Sequence, residues 1–127
     1  MGSETKETRR LRMTSLLCDA MNAVANDRMD DYGTPAVNYT RVSALWNQYL
    51  ALRPRNGRND IDGADAVIMM ILVKIARLIE SPDHRDTWLD IAGYAAVGWS
   101  VVEDGKREVE ASDAISGMAG IRDEPNE

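Results

Sequence analysis

Four charged side chains near the middle of the chain have types and spacings that suit anion or metal binding. Lys74 and Arg77 are three residues apart, and Asp86 and Asp90 are four residues apart. Both spacings place a pair on one face of a helix. If the two segments form an antiparallel hairpin around Pro82, Lys74 and Asp90 are equally far from the turn. Arg77 and Asp86 are nearly so, and the sequence therefore predicts two charged pairs between the helices.

Two interpretations of this charged cluster remain open. In the first, the residues are structural ion pairs that fix the register of the hairpin, because buried charges are tolerated only when they are paired. In the second, Lys74 and Arg77 bind phosphate or another anion. Asp86 and Asp90 then either orient these cations or hold Mg²⁺, which prefers carboxylate oxygens.

Three other polar segments also allow a functional and a structural interpretation. Asp30-Asp31-Tyr32-Gly33 supplies potential metal ligands and a tyrosine for base stacking, or forms a turn with glycine at positive φ. Asp60, Asp62 and Asp65 form either a carboxylate cluster or a cap for the helix that follows. The segment 53–58 contains three arginines, which either clamp a phosphate or belong to a solvated connector.

Four helices are expected to position these residues. Apolar residues recur at helical spacing, and proline, glycine and polar stretches mark the ends of the segments. The expected helices span residues 8–26, 35–53, 64–80 and 84–103, with the last one ending near Gly105. The third is apolar almost all round, which is typical of a helix buried between neighbours. We therefore predict an all-α fold, a four-helix antiparallel arrangement with a central buried helical hairpin.

The same pattern predicts the domain organisation and self-association. Residues 1–105 are expected to form a single all-helical domain. Residues 106–127 are charged or small and lack a sustained apolar period, so we expect a mobile, frayed C-terminal tail with a short helix around residues 109–115. Because the third helix has apolar surface on more than one side, we also expect a homo-oligomer.

Composition limits the classes of partner. The formal net charge of −6 argues against binding to bulk nucleic acid or to anionic membranes. The lone Cys18 cannot form an intramolecular disulfide, and one cysteine with one histidine is too few for the usual zinc site. The longest apolar run, from Ala66 to Val73, is too short to span a bilayer. We therefore expect a soluble, unanchored cytoplasmic protein.

A set of motifs resembles a known family. The motifs are Arg28-x3-Tyr32-Gly33, Asn38, Trp46, Asp65, Lys74-Ile75-Ala76-Arg77-Leu78 and Asp86-Thr87-Trp88-Leu89-Asp90-Ile91-Ala92-Gly93-Tyr94. Together they resemble a family of short phage proteins catalogued as a domain of unknown function. The last motif is similar to the nucleotide-modification-associated domain of phage genomes. The resemblance spans about residues 28–96 and implies a phage or prophage origin, the cytoplasm of a bacterial host, and a link to nucleotide metabolism.

The family motifs and the charged cluster together give the expected ligand site. Lys74 and Arg77 would contact phosphate, and Tyr32 or Tyr94 would stack on a base. The expected ligand-binding residues are Arg28, Tyr32, Asn38, Lys74, Arg77, Asp86, Asp90 and Tyr94, with Asp86 and Asp90 as candidate ligands of Mg²⁺.

The helical layout also resembles the all-α nucleotide pyrophosphohydrolases of the MazG kind, which use Mg²⁺. Those enzymes carry Glu-x2-Glu and Glu-x2-Asp motifs, and this chain has neither. Its substitutes would be Asp62-x2-Asp65 and Asp86-x3-Asp90.

Three functional hypotheses follow. The first is a phage-type accessory protein that binds a nucleotide or related phosphorylated small molecule. The second is a non-enzymatic phage protein that binds a host protein to counter a defence or modulate the host, and the third is an Mg²⁺-dependent nucleotide pyrophosphohydrolase. The catalytic residues are unknown in all three.

Overall fold

The computed structural model describes residues 2–25, 31–55, 57 and 59–122. Within these residues the chain forms four helices and no strand. The helices are α1 (Lys6–Ala25), α2 (Pro35–Leu52), α3 (Gly63–Glu80) and α4 (Arg85–Arg122). The all-α, four-helix prediction is therefore confirmed.

Side-chain caps fix where α2 and α3 begin. The Thr34 hydroxyl accepts a hydrogen bond from the Val37 amide at 3.3 Å, and Pro35 occupies the first position of α2, where its missing N–H costs nothing. At α3 the Asp62 carboxylate accepts from the Asp65 amide at 2.8 Å, and Asp65 accepts from the Asp62 amide at 3.0 Å. This reciprocal pair is a capping box, and it satisfies two amides that the first turn leaves unpaired.

Helix α3 lies at the centre, since both α2 and α4 pack on it. In the part of the chain that the structure describes, α2 and α4 do not pack on each other. Glycines allow a close antiparallel approach of α3 and α4: a Cβ added at Gly98 would lie 3.0 Å from a Val67 methyl, and one at Gly63 would lie 3.1 Å from Val101. The two helices thus form the expected hairpin.

The packing of α2 and α4 on α3 buries little apolar surface. Among the described residues only Val42 and Ala76 are buried hydrophobic side chains. Trp46 anchors α2 on α3 by donating its indole N–H to the Met69 carbonyl at 2.8 Å. A chain of this size normally buries a larger core, so much of its apolar surface remains open to a partner.

Helix α4 is longer than predicted. The predicted end near Gly105 is wrong, because α4 continues without a break to Arg122, over 38 residues. The reason is local. The segment after Gly105 is rich in alanine, glutamate, lysine, arginine and methionine, whose helix propensity outweighs the cost of about 1 kcal/mol for each glycine. The tail beyond residue 105 is therefore helical through Arg122, whereas residues 123–127 lie outside the described part.

Helix α1 stands apart from the other three. Among the described residues it packs against no other helix, and none of its residues is buried. Its large apolar side chains are between 59% and 70% exposed: Leu11, Met13, Leu16, Leu17, Met21 and Val24. As for membrane insertion, no helix in the described ranges is long and apolar enough to cross a bilayer.

Candidate functional site

Arg77 does not form the predicted pair with Asp86. The Arg77 guanidinium carbon instead lies 4.4 Å from the centre of the Tyr32 ring, within the range of a cation–π contact. Asp86 falls in the first turn of α4, is exposed, and has no ion-pair partner among the described residues. The pairing prediction is wrong because α4 begins only one residue before Asp86, which leaves this carboxylate in solvent.

The segment that carries Tyr32 is held against the turn between α3 and α4. The Ser81 hydroxyl donates to the Asp31 carbonyl, and the His84 Nε2 lies 3.8 Å from the Asp31 carboxylate. The His84 ring also meets the Tyr32 ring edge-on at 5.6 Å, and its Nδ1 is 2.7 Å from the hydroxyl of the buried Thr87. These contacts place the Tyr32 ring over α3.

Gly33 completes the turn after Tyr32. Its φ of 77° lies in the left-handed region, which favours glycine. A Cβ at this position would also lie 3.3 Å from the Glu80 carboxyl carbon. Glu80 in turn lies 2.6 Å from the Arg41 guanidinium, so this ion pair connects α2 to the end of α3.

A small pocket, here called the Tyr32 pocket, opens between these elements. Its volume is about 190 Å³. The lining residues are Val24, Tyr32, Gly33, Pro35, Asn38, Tyr39 and Arg77. Three of the predicted ligand residues, Tyr32, Asn38 and Arg77, are thus brought together from three different parts of the sequence.

Two buried polar atoms of the Tyr32 pocket residues lack a hydrogen-bond partner. They are the Asn38 side-chain oxygen and the Arg77 Nε. Asn38 as a whole is only 8% exposed. An unsatisfied buried polar group costs about 1–3 kcal/mol. Of the residues that line the pocket, one thus has an unpartnered acceptor and another has an unpartnered donor.

The other predicted pair of the hairpin is present. The Lys74 ammonium lies 3.0 Å from the Asp90 carboxylate. Together with Tyr94 they line a second, more open groove of about 350 Å³ between α3 and α4. The Lys74 side chain is 12% exposed and that of Asp90 is 47% exposed, so the pair reaches solvent on the carboxylate side. The eight predicted site residues therefore do not form one cluster. Tyr32, Asn38 and Arg77 line the Tyr32 pocket, whereas Lys74, Asp90 and Tyr94 line this second groove. Asp86 lines neither of them.

Asp65 has a structural role at the start of α3. Besides capping, its carboxylate accepts a hydrogen bond from the Tyr49 hydroxyl at 2.5 Å and lies 2.6 Å from the Arg53 guanidinium. Burial, and next the hydrogen bond to Asp65, raise the pKa of Tyr49 to about 12. The capping interpretation of Asp62 and Asp65 thus describes the structure. Arg53 is engaged by this carboxylate and by the Asp60 carbonyl at 3.1 Å.

Candidate metal ligands are few among the described residues. No group of three or more histidine, cysteine, aspartate or glutamate side chains lies close enough together within these ranges to hold an ion. Asp86 and Asp90 supply at most two carboxylates, so an Mg²⁺ ion there would need ligand phosphate oxygens as well. Arg28, Asp30 and Arg58, which the sequence singled out, lie outside the described residues.

Sequence reasoning missed Ser81 and His84. Both lie in the Ser81-Pro82-Asp83-His84 turn, which the sequence marks only as the end of one helix and the start of the next. Their contacts to Asp31 span about fifty residues of chain. No local pattern signals such a contact.

Comparison with known proteins places the chain among phage proteins. It is 40% identical to the Gene 55 protein of Mycobacterium phage L5 over 83 residues, which cover 65% of this chain and 49% of the relative. It is 32% identical to the Gene 55 protein of Mycobacterium phage D29 over 90 residues, covering 71% of this chain and 55% of the relative. The chain thus spans about half the length of the curated relatives it matches. No solved structure matches the chain.

A family profile gives the same result. The profile "Domain of unknown function (DUF6378)" matches residues 15–102, which include α2, α3 and the first half of α4. The predicted resemblance to a phage family of unknown function is confirmed, whereas the likenesses to the nucleotide-modification-associated domain and to MazG enzymes stay predictions. Since the match covers more than half of the sequence, this chain belongs to the DUF6378 family.

Proposed function

We propose that the protein is a phage-type accessory protein that binds a nucleotide, or a related phosphorylated small molecule, in the Tyr32 pocket. The observation that carries the proposal is the pair of buried, unpartnered polar atoms on Asn38 and Arg77. Buried polar groups are almost always hydrogen-bonded. A ligand that offers both a donor and an acceptor would satisfy the two atoms at once.

A nucleotide has the complementary chemistry. Amino and ring N–H groups of a base would donate to the Asn38 oxygen, and a phosphate or carbonyl oxygen would accept from Arg77. The Arg77 guanidinium has no carboxylate partner among the described residues, so its charge is available to an anion. Tyr32 lines the pocket and supplies an aromatic surface.

The size of the pocket limits which part of the ligand it holds. A volume of about 190 Å³ is smaller than the range of about 300–1,000 Å³ typical of whole-ligand sites. The pocket would therefore hold one end of the ligand. Lys74 precedes Arg77 by three residues on α3, and the open groove of Lys74 and Tyr94 would accept the other end.

The test is a thermal-shift screen of the purified chain against nucleotides, cyclic nucleotides and nucleotide sugars, with and without Mg²⁺. A ligand at about a hundred times its dissociation constant adds about 2.7 kcal/mol to the free energy of unfolding. The shift should disappear in Arg77→Ala and Asn38→Ala, and remain in the matched surface variants Arg85→Ala and Asn47→Ala. A screen in which no compound raises the melting temperature contradicts the proposal.

The same samples test the pyrophosphohydrolase hypothesis by measuring pyrophosphate release. That hypothesis has less support, because Asp62 and Asp65, which would replace the glutamates of the MazG motifs, cap α3. Any turnover would have to depend on Asp86 and Asp90. A phage protein of this kind would act in the cytoplasm of the bacterial host.

A second candidate function is binding to a host protein without catalysis. Trp88 and Leu89, at the start of α4, are 55% and 58% exposed, and large apolar side chains of this kind are typical of protein interfaces. The expected result is a host protein that co-purifies with the wild type and with Arg85→Ala but not with Leu89→Glu. Equal recovery of the host protein with the wild type and with both variants contradicts this candidate.

A further inference from the structure

Helix α1 carries an apolar stripe that no other helix covers among the described residues. The stripe follows the spacing i, i+3, i+4, i+7, i+8, i+11 and consists of Met13, Leu16, Leu17, Ala20, Met21 and Val24. Such a stripe is typical of a helix that packs on another element. Most of the stability of a helix in a protein comes from the packing of its apolar face, so α1 would be stabilised by a partner.

The C-terminal part of α4 offers a second, shorter apolar stripe that is exposed among the described residues. Val101 lies beside Gly63, the first residue of α3, so the part of α4 from Glu103 to Arg122 extends past α3. We call this part the α4 overhang. It is about 30 Å long, as α1 is. Its apolar stripe, at spacing i, i+3, i+4, i+7, is Ala111, Ala114, Ile115 and Met118, of which Ile115 and Met118 are 68% and 64% exposed.

The charges on the two segments are complementary. The first turns of α1 have four basic residues against the single acid Glu7: Lys6, Arg9, Arg10 and Arg12. The first eleven residues of the overhang include five acidic residues against two basic ones: Glu103, Asp104, Glu108, Glu110 and Asp113. Arg9 and Arg12 contact Glu4 across exposed surface, where such pairs contribute little. Parallel packing would place basic against acidic residues and one apolar stripe against the other.

A cavity marks where the basic end of α1 would dock. It has a volume of about 580 Å³ and lies at the start of the overhang, beside Val101. Asp104 and Glu108 contribute to its lining. Arginine side chains are long enough to fill such a cavity and to pair with both carboxylates.

The α1 of the same chain cannot cover the overhang. Val24, near the end of α1, lines the Tyr32 pocket beside Arg77. From Lys6 to Val24 the helix spans about 27 Å, and from Arg77 back to Gly63 α3 spans about 21 Å. An α1 folded along its own α3 would therefore reach about one turn past Gly63, well short of Ile115. The apolar stripe of the overhang is thus left open to α1 from another molecule.

The surface area agrees with a missing partner. The accessible surface of the chain is 10308 Å². A folded monomer of this mass exposes about 6,700 Å². The excess exceeds the share of one subunit in an obligate interface, which buries about 2,000–5,000 Å² in total.

We infer that two copies of the chain form a symmetric dimer in which α1 of each copy packs in parallel against the α4 overhang of the other. Each copy then contributes the same two surfaces, which closes the dimer. Val24 belongs both to this stripe and to the lining of the Tyr32 pocket, so the dimer is tested by molar mass in the absence of any ligand.

The first experiment measures the molar mass of the full chain by light scattering over a wide range of protein concentration. The wild type should have twice the mass of 14.1 kDa. Leu17→Glu, within the α1 stripe, should give the monomer, whereas Asn22→Glu on the opposite face of α1 should remain a dimer. A monomeric wild type overturns the inference, and so does a Leu17→Glu variant that stays dimeric.

Charge reversal distinguishes a second copy from the same chain. One variant carries Arg9→Glu, Arg10→Glu and Arg12→Glu, and the other carries Glu103→Lys, Asp104→Lys and Glu108→Lys. Alone, each has like charges on both surfaces and should be monomeric. Mixed, they present opposite charges at both contacts and should form a one-to-one dimer. A mixture that remains monomeric overturns the inference, because any pairing within one chain cannot be restored by mixing.

Discussion

The Arg53 guanidinium lies 2.6 Å from the Asp65 carboxylate, and their side chains are only 10% and 8% exposed. The contact joins the end of α2 to the cap of α3, and the Tyr49 hydroxyl donates to the same carboxylate. A single acidic side chain thus connects a helix end, a helix start and a buried phenol.

Asp65→Ala should strongly destabilise the fold. Removing one partner of a buried ion pair leaves the other charge uncompensated and costs about 3–5 kcal/mol. The free energy of unfolding is measured by urea denaturation. Asp60→Ala is the matched control, because Asp60 is exposed and its backbone carbonyl, not its carboxylate, contacts Arg53. Similar losses in both variants would contradict the role assigned to Asp65.

Tyr49 should make stability depend on pH at the alkaline end. Its pKa is raised from 10.0 to about 12 by burial, and next by the hydrogen bond to Asp65. Between these values the unfolded chain releases the phenolic proton while the folded chain retains it, so the unfolded state binds fewer protons and stability falls as pH rises. This contribution is fully present below pH 10 and lost as pH rises through about 12.

The control for Tyr49 is Tyr49→Phe, which lacks the titrating group. Its stability should fall less between pH 10 and pH 12 than that of the wild type. In the folded wild type, a titration followed by tyrosinate absorbance should show one of the four tyrosines ionising later than the others. Four tyrosines that ionise together near their ordinary pKa would contradict the raised value.

The Lys74–Asp90 pair should contribute little to stability. The Asp90 side chain is 47% exposed, and ion pairs open to solvent are worth about 0–1 kcal/mol. Asp90→Asn should therefore lower the free energy of unfolding by less than about 1 kcal/mol. A loss as large as that of Asp65→Ala would show that the pair holds the hairpin together and would favour the purely structural interpretation of the charged cluster.

Two glycines of α4 should respond in opposite directions to alanine. At Gly93 an added Cβ meets nothing within 4 Å, so Gly93→Ala should raise stability by about 1 kcal/mol through helix propensity. At Gly98 the Cβ would lie 3.0 Å from a Val67 methyl, and overpacking of this kind costs about 1–3 kcal/mol. Melting temperatures of the two variants test this difference, and equal shifts would mean that α3 and α4 are not packed at Gly98.

The sequence was sufficient to predict the helices and one ion pair between two of them. Caps and prolines are local signals, which is why the starts of α2 and α3 agree with expectation to within a residue. Equal distance from Pro82 was enough to pair Lys74 with Asp90. The same rule failed for Arg77 and Asp86, because it places residues at one height but does not say which side of the helix faces the neighbour.

Long-range contacts account for the remaining differences. Tyr32 reaches Arg77 because its segment is anchored to Ser81 and His84, and no periodic pattern signals that contact. Gly105 predicts the end of α4, yet glycine ends a helix efficiently only when the backbone turns into the left-handed region. In α4 it does not, since the positive φ values among the described glycines belong to Gly33 and Gly57.

The isolation of α1 from the other helices has a consequence for how this protein acquires its structure. Among the described residues α1 packs against no other helix, so in the dimer proposed above its order would come from association, and its folding would be a second-order process in protein concentration. Dilution would melt this segment while α2, α3 and α4 stay folded. Amide hydrogen exchange would then report two regimes within one molecule: protection that is independent of concentration in the central hairpin, and protection that grows with concentration between Lys6 and Ala25.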